Sequence, residues 1–304
     1  MLMRSVPFTL IVLLTALVQD IEIRPKLVTG DKFRLEVTRT RRDSARPQMA
    51  ATGRTPVDVQ VVSAGAEGFV LDWIPGDTTF DNPQVMQDPN IGAAAQATRG
   101  MHFRIALSAD GEFDGLLNEA EVVPKLQTIV GGVVGELAIR LPVDQRKNFQ
   151  AMMAQVLSPA ALISSATQDA QVYWGLYGAA LTPGESIAVN LEQPNPLGGS
   201  PIPATFSVRM DAATASAATV TTATTYEKDA LLKMTLELAQ RAGAPVKPQD
   251  AAKLPLMQMS DDGKYDFDRV TGMMRKVAIN RRISAGGQER LDAWVITLVE
   301  SPKR

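Results

Sequence analysis

The chain has 304 residues, enough for one large domain or two modest ones, and its 45% hydrophobic and 21% charged content is that of an ordinary globular protein. A formal charge of −2 gives no global attraction to nucleic acid, and 3 Trp, 4 Tyr and 9 Phe offer few platforms for stacked bases. The lack of cysteine excludes thiol nucleophiles, thiolate zinc sites, iron–sulfur clusters, disulfides and a lipid-modified cysteine, and any Ser-His-Asp triad must pass through the single histidine, His102.

Arg4 precedes an apolar run from Val6 to Val18, the order of charge and apolar core found in an export signal. The run falls short of the about 20 residues that span a bilayer, so residues 1–18 are read as a signal and the protein as periplasmic or extracellular. Small residues are poorly placed for cleavage near Ala16, Val18 and Gln19, which leaves removal and retention as an anchor both open. Membrane contact is expected only through residues 1–18, if they are uncut. The competing reading is a buried first strand.

A first sheet module is expected over 19–117. Phe33, Leu35 and Val37 alternate with polar residues after Gly30-Asp31, Val57, Val59 and Val61 repeat the pattern, and GFVLDWI (68–74) gives a third strand. Residues 75–100 read as a long excursion before Met101, Phe103, Ile105 and Leu107 restore alternation ahead of the Asp110-Gly111 turn. Over 118–183 the period becomes helical. Val122, Val123, Leu126, Ile129, Val130, Val133, Val134 and Leu137 form one loosely wound helix interrupted by Pro124 and three glycines; Phe149, Met152, Met153, Val156 and Leu157 form a stripe of the next. Ser158-Pro159 starts a short helix and Thr167 caps another.

A second sheet module, 184–304, echoes the first. Gly184-Glu185 opens SIAVNLE as Gly30-Asp31 opens KFRLEVT, and Thr271-Gly272 corresponds to Asp110-Gly111, which suggests a diverged duplication of about 30–117 in 184–299. A helix over 227–242 is stopped by Gly243 and Pro245, residues 243–259 are a Pro-rich linker, and 288–299 is a closing strand. The Gly-Asp opening, the signal and the run GKYDFDRVTGMMRKV with its Asp-x-x-Thr-Gly turn resemble those of a loose group of uncharacterised secreted bacterial proteins. More remotely, the layout is similar to that of periplasmic lipid carriers, a resemblance that implies a curved sheet with helices in its concave face. It supplies no catalytic residue.

Residues 110–121, DGEFDGLLNEAE, carry oxygen side chains at calcium-loop spacing: Asp110, Glu112, Asp114, Asn118 and Glu121, with Gly115 at the sharp turn. The long Glu112 and the strand-like approach favour a hairpin and helix start instead. His102 lies on the polar side of its strand. Asp266 with Asp268, and Asp72 with Asp77 and Asp81, are the carboxylate sets available to a hydrolase. Arg39, Arg41, Arg42, Arg46 and Arg275, Lys276, Arg281, Arg282 form two basic clusters, read as solvated strand faces or an anion-binding surface. Tyr173, Trp174 and Tyr177 share a helical face and either fill the core or line an apolar pocket. No G-x-S-x-G, S-x-x-K, Walker or H-E-x-x-H motif occurs.

These features predict an α+β fold, an antiparallel, curved and duplicated sheet with a helical layer packed on it. The function expected is non-enzymatic: an exported envelope protein that binds an apolar or amphipathic small molecule, or an envelope protein, between sheet and helices. The alternatives are a structural envelope protein and a carboxylate- or metal-dependent hydrolase, calcium being the one cofactor suggested. Mass spectrometry of the exported protein is expected to find a start beyond residue 18; a start at Met1 overturns the cleaved form.

Overall fold

The computed structural model describes residues 20–84, 95–193, 201–241 and 257–303. Residues 1–18, read above as an export signal, the expected helix stop at Gly243 and Pro245 and most of the stretch 243–259 lie outside the described residues.

Alternation becomes strand wherever the sequence carries it. β1 (Ile21–Glu22) is followed by β2 (Lys32–Asp43), which buries Phe33, Leu35 and Val37, and by β3 (Ala51–Gly65), which buries Val57, Val59 and Val61. β4 (Gly68–Pro75) and the short β5 (Thr79–Phe80) lead to β6 (Phe103–Leu107), with Phe103, Ile105 and Leu107 inward, and to β7 (Phe113–Leu116). Each fully buried side chain is worth about 1.5–3 kcal/mol. A slip of one residue would turn a whole row to solvent, so the rows set the register.

Three helices follow: α1 (Glu119–Arg140), α2 (Val143–Val156) and α3 (Pro159–Trp174). Ser158 caps α3 by accepting from the Ala161 N–H, and Pro159 occupies its first turn. Thr167 is not a second cap. Its hydroxyl donates back to the Ile163 carbonyl, so α3 runs unbroken through it. β8 (Ala180–Leu181) pairs with β1, and the late strands are β9 (Ser186–Gln193), β10 (Ile202–Ala213), β11 (Ala217–Tyr226), β12 (Gln258–Asp268), β13 (Met273–Ala285) and β14 (Gln288–Lys303). Between β11 and β12, α4 (Lys228–Arg241) packs Leu231 and Met234 on Ile202, Ala204 and Tyr226 as a small second core.

All large strands belong to one antiparallel sheet in the order β7-β6-β4-β3-β2-β14-β13-β12-β11-β10-β9, with β5 beside β3. The early and late runs meet in its middle, where β2 pairs with β14 from Arg290↔Asp43 to Lys303↔Lys32. β7 and β9 are its two edges and do not pair with each other, so the sheet is open. About half of the chain is strand and a quarter helix, and the helical layer is thin. α3 touches β7 and β13, whereas α1 and α2 rest mainly on α3 and on each other. Of the described helices, α1 alone is long and apolar enough to cross a membrane, and Val122 and Leu126 are its contributions to the main core.

The sheet curls. The β6–β7 and β12–β13 turns are six strand spacings apart, about 29 Å in a flat sheet. Consecutive residues nevertheless touch both: a Cβ at Gly111 would lie 2.5 Å from Pro25 Cδ, and one at Gly272 would lie 2.7 Å from Lys26 N and from Arg24 O. Both glycines have positive φ, +91° and +72°, so the turns need glycine twice over. Arg24 also pairs with Asp110, and Lys26 Nζ donates to the carbonyls of Arg269 and Val270.

Asp268 fixes the second of these turns. Its carboxylate accepts from the N–H groups of Val270 and Thr271 and from Arg275. Burial pushes its pKa up, but those donors, Arg275 foremost, outweigh burial and hold it below the usual carboxylate range. A depressed native pKa stabilises the fold above the unfolded value of about 3.9 and is lost as pH falls through the lower native value. Asp268→Asn is therefore expected to cost about 1–2 kcal/mol at neutral pH in urea melts, with the gap to the parent closing as the pH falls below the ordinary carboxylate value of about 3.9; a gap independent of pH refutes this role.

Candidate functional site

The inward face of the sheet has two zones. Near the Gly111 and Gly272 turns it is apolar, with Leu35, Val37, Val277, Ile296 and Phe267 buried beneath α3. Further along the same strands the inward positions become charged. Arg39 and Arg41 follow Val37 in β2, Arg281 follows Val277 and Ile279 in β13, Asp292 and Arg290 precede Ile296 in β14, and Asp261 precedes Tyr265 in β12.

These charges are paired, mostly between elements, with Arg290 and Asp292 pairing within β14. Arg281 donates from Nε and Nη2 to the two oxygens of Asp261 at 2.8 and 2.7 Å, and the Tyr226 hydroxyl donates to Asp261 Oδ2 at 2.8 Å. Arg41 and Arg290 flank Asp292 at 3.0 and 2.6 Å, and Arg39 ties the sheet to α3 through Asp169 at 2.7 Å. The hydrogen bond to Asp261 raises the Arg281 pKa above its ordinary value. Burial raises that of Tyr226, so its hydroxyl remains a donor across the physiological range.

Between this ladder and α3 lies a cleft of about 180 Å³. Val172, Phe206, Tyr265, Ile279 and Trp294 give it apolar walls; Gln168, Thr222, Thr224, Asp261 and Arg281 give it polar ones. The indole N–H of Trp294 and the Nε–H of Arg290 are buried without a hydrogen-bond partner among the described residues. Unpaired donors of this kind carry a desolvation cost.

The residues singled out from sequence are distributed elsewhere. In 110–121 Asp110 pairs with Arg24 in the turn, Asp114 lies on β7, and Glu121 pairs with Lys125 on α1, which together with the Asn118 amide lowers its pKa. Asn118 accepts from the Arg104 N–H and donates to the His102 carbonyl, locking α1 to β6. Among the described residues no three Asp, Glu or His side chains gather as a metal site.

Tyr173, Trp174 and Tyr177 sit together in the core, not around the cleft. The Tyr173 hydroxyl donates to the Met274 carbonyl; that of Tyr177 accepts from the Met274 N–H and donates to the Gly272 carbonyl. Burial raises both hydroxyl pKa values.

The structure does not bring the carboxylate sets together. Arg104 engages both oxygens of Asp72, leaving His102 Nδ1 3.7 Å away on the outer face. Asp77 pairs with Arg99, Asp81 accepts from the Thr52 N–H, and Asp266 meets Thr219 while Asp268 holds its turn. Sequence reasoning missed the cleft residues Asp261 and Trp294 and the Tyr226 hydroxyl that holds Asp261, and it placed Arg281 on a solvated face. The available signal was parity: Arg39, Arg41 and Arg281 occupy the same side of their strands as the buried aliphatics before them.

The Asp261–Arg281 pair is mostly shielded from water, so removing one partner strands the other. Arg281→Met is expected to lower stability by about 1–3 kcal/mol in denaturant melts, and Asp261→Asn added to it to lower stability by less than the sum of the two single changes. Strict additivity would show that the pair is not coupled.

No protein-family model matches the chain, and no curated protein matches it. Among solved structures the chain is similar to lipovitellin, in a structure titled for its lipid–protein interactions, with a TM-score of 0.43 and 10% identity. That match covers 89% of this chain and 25% of the other, so this chain spans about a quarter of the lipovitellin chain. A porin-like protein from Bacteroides uniformis is similar over 88% of this chain and 96% of its own, with 7% identity and a TM-score of 0.20.

Proposed function

We propose that this is an exported, non-enzymatic binding protein that holds a small amphipathic molecule in the cleft between α3 and β10–β14. The observation that carries this reading is the lining of that cleft, apolar rings and aliphatics on one side and hydrogen-bonding groups on the other. Such a mixture suits a ligand with a short apolar body and a hydrogen-bond-accepting head. The volume, about 180 Å³, is below the roughly 300–1,000 Å³ usual for larger ligands. A small molecule, or the end of a longer one, is therefore the occupant. The polar groups of the cleft bind more readily than they react: Asp261 is held by Arg281 and Tyr226, and Asp262 accepts from Asn280. Residues 1–18 support the exported location.

Octanol and octanoate test the neutral and the anionic head. Trp294 lines the cleft, whereas Trp73 and Trp174 are buried in the core, so a ligand there should change the fluorescence of Trp294. Saturable titration by at least one of the two, abolished by Val172→Phe with the melting temperature retained, is the expected result. Neither compound titrating, or titration undiminished in the plugged variant, would sink the reading.

A further inference from the structure

The two edges of the sheet are treated differently. β7 is four residues long, contains Gly115 and is touched by α3. β9 is eight residues long, has β10 on one side and, among the described residues, no strand on the other, and contains neither proline nor lysine, two usual guards against strand addition. Its inward face is apolar and open: Ile187 is 46% and Val189 48% exposed, and Leu191 follows on the same side. An antiparallel edge strand points half of its N–H and C=O groups away from its neighbour, and another strand satisfies them best.

The sequence of β9 names the partner. Antiparallel pairing of β9 with its own copy, with the two-fold axis at Val189, sets Val189 against Val189 and Ile187 against Leu191, all on the inward face. On the outward face Ala188 meets Asn190 and Ser186 meets Glu192, while Glu185 meets Gln193 beyond the strand end. No like charges are opposed. Moving the axis to Ala188 shortens the overlap, and moving it to Asn190 puts a polar residue on the axis and sets Ile187 against Gln193. A two-fold axis through a sheet edge keeps both inward faces on one side, so the sheets join into one.

We infer that the chain forms a two-fold dimer through β9, its Val189 residues facing each other across the axis. This inference rests on the strand edge and is independent of any ligand in the cleft.

The absence of cysteine makes a direct test available. Val189→Cys places two thiols at directly opposed positions, whose Cα atoms in an antiparallel pair lie about 4.5–5.5 Å apart, within disulfide reach. Val270→Cys, in the exposed β12–β13 turn far from β9, is the collision control. Under mild oxidation the Val189→Cys chain is expected to cross-link at least about tenfold faster than the control, because the thiols are already paired. The unmodified full chain should sediment as a dimer at micromolar concentration. Val189→Glu, which opposes two carboxylates at the axis, should be monomeric, with its β-sheet circular dichroism retained and a melting temperature that no longer depends on protein concentration. A monomeric parent, equal cross-linking rates, or a Val189→Glu dimer as stable as the parent's would each overturn the inference.

Discussion

The fold depends on a contact of three residues. Arg24, Pro25 and Lys26 touch the turns at Gly111 and Gly272, which a flat sheet would hold far apart. Once those turns meet, the sheet must curl, and its inward face becomes a trough with one closed end. α3 is seated in that trough by the Tyr173 and Tyr177 hydroxyls, which bond the backbone of Met274 and Gly272 beside the same turn. Buried phenols bring a large apolar body and a directed hydrogen bond in one side chain. They fix the height of the helix as well as its attachment, and so they set the width of the cleft above it.

The trough exchanges stability for definition along its length. Its apolar end is a conventional core, whereas its other end holds Arg39, Arg41, Arg281 and Arg290 against Asp169, Asp292 and Asp261. Arg39, Arg41 and Arg290 keep much of their side chains in water, where ion pairs add little net stability, and in the more shielded Arg281–Asp261 pair desolvation offsets much of the attraction. They do specify geometry. Arg39, Arg41 and Arg281 find their partners on α3 or on a neighbouring strand, so a shifted register would separate these charges. Long strands that outlast their apolar rows can thus remain aligned with little hydrophobic reward.

Much of this architecture is legible in the sequence, and the limits have physical causes. Alternation located β2, β3 and β4 because one face of each strand is buried, and Asp110-Gly111 and Thr271-Gly272 announced turns because only glycine fits them. The pairing of β2 with β14 left no local trace, since strand partners are chosen by three-dimensional fit. Thr167 misled because a threonine that caps a helix and one that bonds back within it look alike in one dimension. The residues of 110–121 have the right spacing for one ligand shell, yet they are dispersed over a turn, a strand and a helix. The cleft was visible only as a break in parity, with arginine where the alternation calls for an aliphatic side chain.

The central β2–β14 pair also sets the order of events in folding. Strands from opposite ends of the described chain lie side by side there, with Lys32 opposite Lys303. Neither run of strands can complete the middle of the sheet until the last strand is available, and closing so long a loop is slow. During synthesis the early strands must wait with β2 unpaired on one side. The compact state of the described chain can therefore form only after β14 has been made, and until then the early strands remain a partial sheet with one open side.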